Sequence, residues 1–279
     1  MTIGEWLRHA QDVLAESGCP DPQIDSKWIA EDTLGLTRTE LHFESERAID
    51  GQTLERLDER LHLRAQGEPV QYILKSAYFM GLKFYVDNRV LIPRQDTETL
   101  VEAVIVALHE FDEPEVLDLC AGSGAIGLSV KTLIPSASVT LTDVSREALE
   151  VVRRNAHDLN VDVGIRQGDL FKAVGRDKFD LIASNPPYIP HGDLAQLQRE
   201  VRHEPMLALD GGSDGLDVYR RIAGEAGAHL NPGGFIYLEV GIGEAEPVLS
   251  LVTENIECAQ AGVLNDLNGI PRVVWARSV

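Results

Sequence analysis

The sequence predicts an α/β protein, a mostly parallel sheet wrapped on both faces by helices and preceded by a small helical bundle. Three observations lead there. From Glu115 onward, short apolar runs of β character alternate with helical patterns, as in a chain of parallel strands joined by crossover helices. The first of those runs is followed by Gly122-x-Gly124-x-x-Gly127 and then by a helical pattern. The first 75 residues read instead as several short helices. The expected organisation is a helical domain over 1–75, a β-hairpin linker over 76–92 and the sheet domain over 93–279.

In the helical part, Thr2-Ile3-Gly4-Glu5 is a capping box that opens an amphipathic segment carrying Trp6, Leu7, Ala10, Val13 and Leu14, which Gly18 ends. Asp21-Pro22 supplies a cap and an N1 proline before Ile24, Trp28 and Ile29. Thr37-Arg38-Thr39-Glu40 is a second capping box, and Leu54, Leu57 and Leu61 form a helical stripe. Two apolar runs, Tyr78 to Val86 and Arg89 to Ile92, flank Asp87-Asn88 and predict a hairpin turning there. Next, Asp96 or Thr97 is expected to cap a helix through Leu100, Val101, Val104 and Leu108, with Glu98 favouring its positive start.

The strands of the sheet domain follow in order. Val116 to Leu119 is the first and Val139 to Asp143 the second, with Ser145 capping the helix after it. A third surrounds Val163 and Ile165 and ends at Gly168-Asp169. Phe179 to Ser184 is the fourth, Gly234 to Val240 the fifth, and two more lie near Ala261-Gly262-Val263 and Arg272 to Trp275.

A chain of 279 residues that is 44% hydrophobic can bury a substantial core. No apolar run reaches membrane-spanning length and the start lacks signal-peptide character, so a cytoplasmic protein is expected. Three widely spaced cysteines suggest neither a disulfide framework nor a metal site. The net charge of −20 argues against a nucleic-acid backbone as the main partner, because such proteins present a basic face.

The glycine loop after a strand and before a helix is a nucleotide-binding fingerprint, and Asp143 ends the next strand, where an acid can hold ribose hydroxyls. Three features favour S-adenosylmethionine (SAM) over a dinucleotide. They are Asp118 just before the loop, Asp169 where an adenine amine would lie, and the sequence that leaves the fourth strand. Carboxylates suit a cationic, hydroxyl-rich cofactor better than a pyrophosphate. The plainer readings are a strand-end acid capping the next helix for Asp143 and a turn residue for Asp169.

That fourth-strand sequence is Asn185-Pro186-Pro187-Tyr188. Ligands of open α/β sheets bind outside the carboxyl ends of the strands, so its position suits a site. Proline restricts the residue before it, which holds Asn185 stiffly, and neither proline offers an N–H donor. The Asn185 side-chain oxygen and the Pro186 carbonyl can each accept one hydrogen of a planar NH2 group, with Tyr188 stacking on its carrier. As such a nitrogen is alkylated, positive charge grows on it and both acceptors bind it more tightly, which favours the transition state. The plainer reading is a proline-rich surface turn.

These residues resemble a known family, the HemK/PrmC-type peptide chain release factor protein-(glutamine) methyltransferases. The resemblance covers nearly the whole chain. It includes Glu68 to Ile73, Leu91 to Glu98, Asp118 to Ile126, Ser184 to Ile189, Glu204-Pro205, and Gly211 through Ile222. It implies a class I SAM-dependent methyltransferase domain, with a seven-stranded, mostly parallel sheet, behind a helical bundle and hairpin. By the same resemblance Cys120, Ala121, Gly122, Ser123 and Gly124 line the methionine part of SAM, with Asn185 also at the cofactor. Asp143 holds the ribose, Asp169 with Leu170 the adenine, and Asn185, Pro186, Pro187 and Tyr188 the substrate glutamine. Asn185, Pro186 and Tyr188 are the expected catalytic residues. Cys120 and Ala121 depart from the usual glycine-rich loop.

The function implied is methyl transfer from SAM to the glutamine amide of the Gly-Gly-Gln loop of release factors, leaving S-adenosylhomocysteine. The expected partner is a release factor, with no membrane, no direct nucleic acid and a monomeric enzyme. A sister group that methylates a large-subunit ribosomal protein shares Phe79 to Asp87 and the Asp-Leu-Cys start of the glycine loop. The Gln95 to Glu98 segment and Asp217 to Ile222 favour the release-factor branch. Two other classes are a DNA or RNA amino-methyltransferase, which flips its base into the same motif, and a module that keeps SAM without turnover.

Overall fold

The computed structural model describes residues 1–279, which group into two compact units. The first comprises Met1–Ser76 together with Gln198–His203, and the second Ala77–Leu197 with Glu204–Val279.

The first unit holds α1 (Ile3–Glu16), α2 (Pro22–Leu34), α3 (Arg38–Phe43), α4 (Gly51–Ala65) and α5 (Val70–Leu74). The capping boxes at Thr2 and Thr37 both form, each hydroxyl accepting from the N3 amide while the glutamate reaches back. Ile3, Trp6, Ala10, Leu14, Ile29, Leu57 and Leu61 bury into one core. Asp21 makes no cap bond, so the Pro22 start of α2 relies on the proline alone. Arg64 is buried, and its charge is met by Asp25 at 2.6 Å and by Glu200, from the returning segment, at 2.8 Å.

The second unit opens with a hairpin of β1 (Ala77–Phe79) and β2 (Leu82–Phe84), in the register Phe79↔Leu82. It turns at Met80-Gly81, both at positive φ (50° and 73°), and not at Asp87-Asn88 as the apolar runs predict. The two-residue turn with both φ positive matches strand twist. Around Asp87 a local network displaces the ladder, since its carboxylate takes the Arg89 backbone N, the Arg89 guanidinium and the Tyr85 hydroxyl. Val86, Val90 and Ile92 are buried without being strands.

Then come α6 (Glu98–Leu108), β3 (Glu115–Leu119), α7 (Ala125–Leu133), β4 (Ser138–Asp143), α8 (Arg146–Asp158), β5 (Gly164–Gln167) and β6 (Phe179–Ser184). They are followed by α9 (Asp217–His229), β7 (Leu230–Glu239), α10 (Ala245–Asn255), β8 (Cys258–Asn265) and β9 (Pro271–Ser278). The seven-stranded sheet has the order β5-β4-β3-β6-β7-β9-β8, with only β9 antiparallel to its neighbours. Leu100 and Val104 of α6, Leu128 of α7 and Leu149 of α8 fill one face. Tyr219 and Ile222 of α9 and Val248 of α10 fill the other. The chain steps outward from β3 to β5, then returns to the opposite side of β3 with β6. The carboxyl ends around β3 are therefore a topological switch point, where open sheets bind ligands.

Candidate active site

A cavity of about 280 Å³ opens at that switch point. Its floor is the loop between β3 and α7. Cys120, Gly122 and Gly124 all take positive φ (61°, 54° and 82°), so the backbone makes a tight left-handed path into the helix. Cys120 adopts this conformation without being glycine, and burial pushes its thiol up to about 12, which keeps it protonated. Gly127 lies where a Cβ would come within 2.9 Å of both Asp118 and Leu141, so α7 packs closely on the sheet.

Two carboxyls organise this loop. Asp118 is fully buried; its Oδ2 accepts the Gly127 amide at 2.8 Å while Oδ1 has no partner. Burial pushes it up to about 7, and the nearby Asp143 charge adds to that. Asp143 accepts the Gly122 amide on Oδ2 at 2.9 Å and the Ser145 amide on Oδ1 at 2.8 Å. It thus ties the glycine loop to the start of α8, whose cap bond comes from the Ser145 hydroxyl. Burial raises its pKa too.

Of the residues singled out in the sequence, Cys120, Ala121, Gly122, Ser123, Asp143, Asp169, Leu170, Asn185 and Pro187 line the cavity. Gly124, Pro186 and Tyr188 do not form its wall. Gly124 serves as the N-cap of α7, and Pro186 is buried. Asp169 is already engaged at both oxygens, Oδ1 by Arg221 and Oδ2 by Lys172 at 2.8 Å, and these cations hold it below the usual carboxylate range. Leu170 beside it takes φ 50°.

Asn185 donates from Nδ2 to the Thr97 hydroxyl at 3.3 Å, and its Oδ1 accepts nothing from the protein. Tyr188 lies in a clasp formed by the loop after Leu209. The Ile189 amide donates to the Leu209 carbonyl, and the Gly211 amide donates to the Ile189 carbonyl, both at 2.9 Å. A Cβ on Gly211 would sit 2.7 Å from the Tyr188 Cα, and one on Gly215 would sit 2.4 Å from its carbonyl oxygen. Only glycine allows that approach. Burial pushes the Tyr188 phenol up to about 12, so it stays neutral.

Arg89, Arg94, Thr97 and Arg221 also reach the cavity, as do Leu207 and Ala208. The sequence gives Arg94 no role. In the fold it pairs with the buried Glu204, whose other oxygen accepts the Ile92 amide at 2.9 Å. Burial raises Glu204, and the Arg94 charge works against that. This pair fastens the segment before α6 to the segment carrying Pro205, Leu207 and Ala208. The Glu-Pro at 204–205 was visible only as part of the family resemblance; nothing local marks Arg94 and Glu204 as partners 110 residues apart.

Comparison with known proteins agrees with this geometry. Residues 5–74 match the PrmC N-terminal domain family, and residues 95–207 match the methyltransferase small domain family. The chain is 42% identical over 278 residues to a release factor glutamine methyltransferase of Geobacter sulfurreducens, covering 99% of this chain and 96% of that one. It is 38% identical to the protein of that name from Deinococcus radiodurans, covering 99% of both. A crystal structure of a methyltransferase from Pyrococcus furiosus superposes with a TM-score of 0.52 at 19% identity, covering 82% of this chain and 98% of that one, which supports the fold. With a methyltransferase sheet, a glycine loop feeding a cavity at its switch point and full-length identity of this degree, the chain belongs to the release factor glutamine methyltransferase family.

Proposed function

We propose that this protein transfers a methyl group from SAM to the side-chain amide nitrogen of the glutamine in the Gly-Gly-Gln loop of peptide chain release factors. The observation that carries this reading is Asn185, on the cavity wall with its NH2 turned to Thr97 and its oxygen free of protein donors. That oxygen, with the Pro186 carbonyl, which no protein amide reaches, suits a planar NH2 group rather than a hydroxyl or a ring nitrogen.

The cavity fits SAM. Asp143 presents a carboxyl to it for hydroxyls, and Leu170, Ile126 and Val218 give apolar walls. When bound, SAM supplies a sulfonium methyl whose carbon–sulfur bond breaks as the carbon–nitrogen bond forms, leaving S-adenosylhomocysteine. Asn185 and Pro186 align the amide nitrogen and bind it more tightly as positive charge develops there. One of its two protons then leaves to solvent. The close glycine packing on the Tyr188 backbone holds the loop and its carbonyls still, and the buried phenol stays neutral. The helical unit is assigned to docking the release factor, in line with its match to the PrmC N-terminal domain.

The test is methyl transfer from labelled SAM to a purified release factor, beside a version with the Gly-Gly-Gln glutamine changed to alanine. Label on the intact factor alone is expected. Label on neither, with SAM bound, rejects the release factor and directs the assay to ribosomal protein and then to nucleic acid.

A further inference from the structure

Asn185 and Glu239 leave neighbouring strands side by side. Ser184 pairs with Leu238 in the β6–β7 ladder, so each is the next residue out. Glu239 is only 1% exposed and its Oε2 has no hydrogen-bond partner. Thr97, also buried, stands at the N-cap position of α6 but makes no cap bond. Its hydroxyl accepts from Asn185 instead. Thr97 and Asn185 both neighbour the Glu239 carboxyl and favour its charged form.

A hydroxyl has one proton and two lone pairs. Beside a charged carboxylate that proton points to Glu239, and Asn185 meets the lone pairs. Only its NH2 group can then face Thr97, so its oxygen must face the cavity. We propose that Thr97 and Glu239 are positioning residues that fix the flip of the Asn185 amide and so present its oxygen to the substrate NH2. This rests on the reading of Asn185 as the amide acceptor. A neutral Glu239 removes the constraint, because Thr97 can then donate to Asn185 Oδ1 and the amide can turn over.

The surroundings agree. Burial pushes Glu239 up to about 7, against the influence of Thr97, Arg272 and Asn185, while Asp96 adds to the rise. The ionisable groups facing it are Arg272 from β9, Asp96 before α6, Tyr188 after β6 and Tyr219 from α9. Both tyrosines are raised by burial and remain neutral. Glu244, beyond β7, also lies at about 7, so the pH profile is read against a variant lacking only the Thr97 hydroxyl.

The experiment compares Thr97→Val, Thr97→Ser and Glu239→Gln with Asn185→Ala in the full chain, measuring kcat and KM with a release factor and SAM affinity by calorimetry. Thr97→Val and Glu239→Gln are expected to lower kcat by about 10- to 100-fold with SAM affinity kept, the loss of one aligning hydrogen bond. Thr97→Ser is expected to retain turnover. The wild-type kcat is expected to rise as pH passes about 7, and Thr97→Val to flatten that rise. A Thr97→Val protein that binds SAM and keeps wild-type kcat, while Asn185→Ala is dead, overturns the positioning role alone. Near-wild-type turnover by Asn185→Ala overturns the reading of the site and this inference with it. Should Glu239→Gln fail to fold, the Thr97 pair decides.

Discussion

At the scale of single residues, the place of Asn185 on the cavity wall was legible because two prolines after an asparagine at a strand end fix a conformation locally. Thr97 was not. A threonine ahead of a helix reads as a cap, and the same residue in the fold faces Asn185, 88 residues away, with no cap bond. Asp169 was legible as a strand-end acid, but its partner Arg221 comes from α9, 52 residues on. Asn185→Ala is expected to lower turnover by at least about 100-fold, the usual cost of one preorganised transition-state contact, with SAM affinity intact by calorimetry. Asp143→Ala is expected to weaken SAM binding by about 10-fold or more, the worth of one or two hydrogen bonds to a charged group. A variant that binds SAM as tightly as the wild type would detach Asp143 from the cofactor.

At the scale of elements, strand–helix alternation announced the sheet, and the capping boxes announced α1 and α3, because both signals are local. The hairpin shows the limit. Apolar residues from Tyr78 to Ile92 look like strand on composition, but the Asp87 network takes the backbone and side-chain donors around it, and the pairing stops at Phe84. The clasp at 211–215 was read only as family resemblance, since its purpose depends on Tyr188 arriving from another part of the chain. Gly215 has φ 82° and no room for a Cβ, so Gly215→Ala is expected to displace the segment after Asn185. A fall in kcat together with a lowered Tm is the expected result; unchanged kcat and Tm would show the clasp to be slack.

At the scale of the whole molecule, the parallel order around β3 places loops far apart in sequence at one switch point, which is why the fold was readable and the partners within the cavity were not. The charge distribution sets the response to pH. Burial pushes Asp118, Glu239 and Glu244 up to about 7. The stability such groups contribute is full in acid, below their unfolded values, and is lost as pH rises through about 7. Asp87 is held down to about 2 by Arg89 and Tyr85 against its burial, and Asp214 to about 2 by Arg220. Their contribution is present above the ordinary carboxylate range and lost as pH falls toward 2. Tm at constant ionic strength is therefore expected to peak on the acid side of neutrality and to fall in both directions; a midpoint that climbs steadily through pH 8 contradicts the burial of these carboxyls. The central claim is the acceptor atom, and mass spectrometry of the Gly-Gly-Gln peptide, after reaction with wild-type and Asn185→Ala protein, tests it most directly. One added methyl on the glutamine side chain, with wild type alone, is the predicted result, and an unmodified glutamine with the methyl elsewhere, or nowhere, contradicts it.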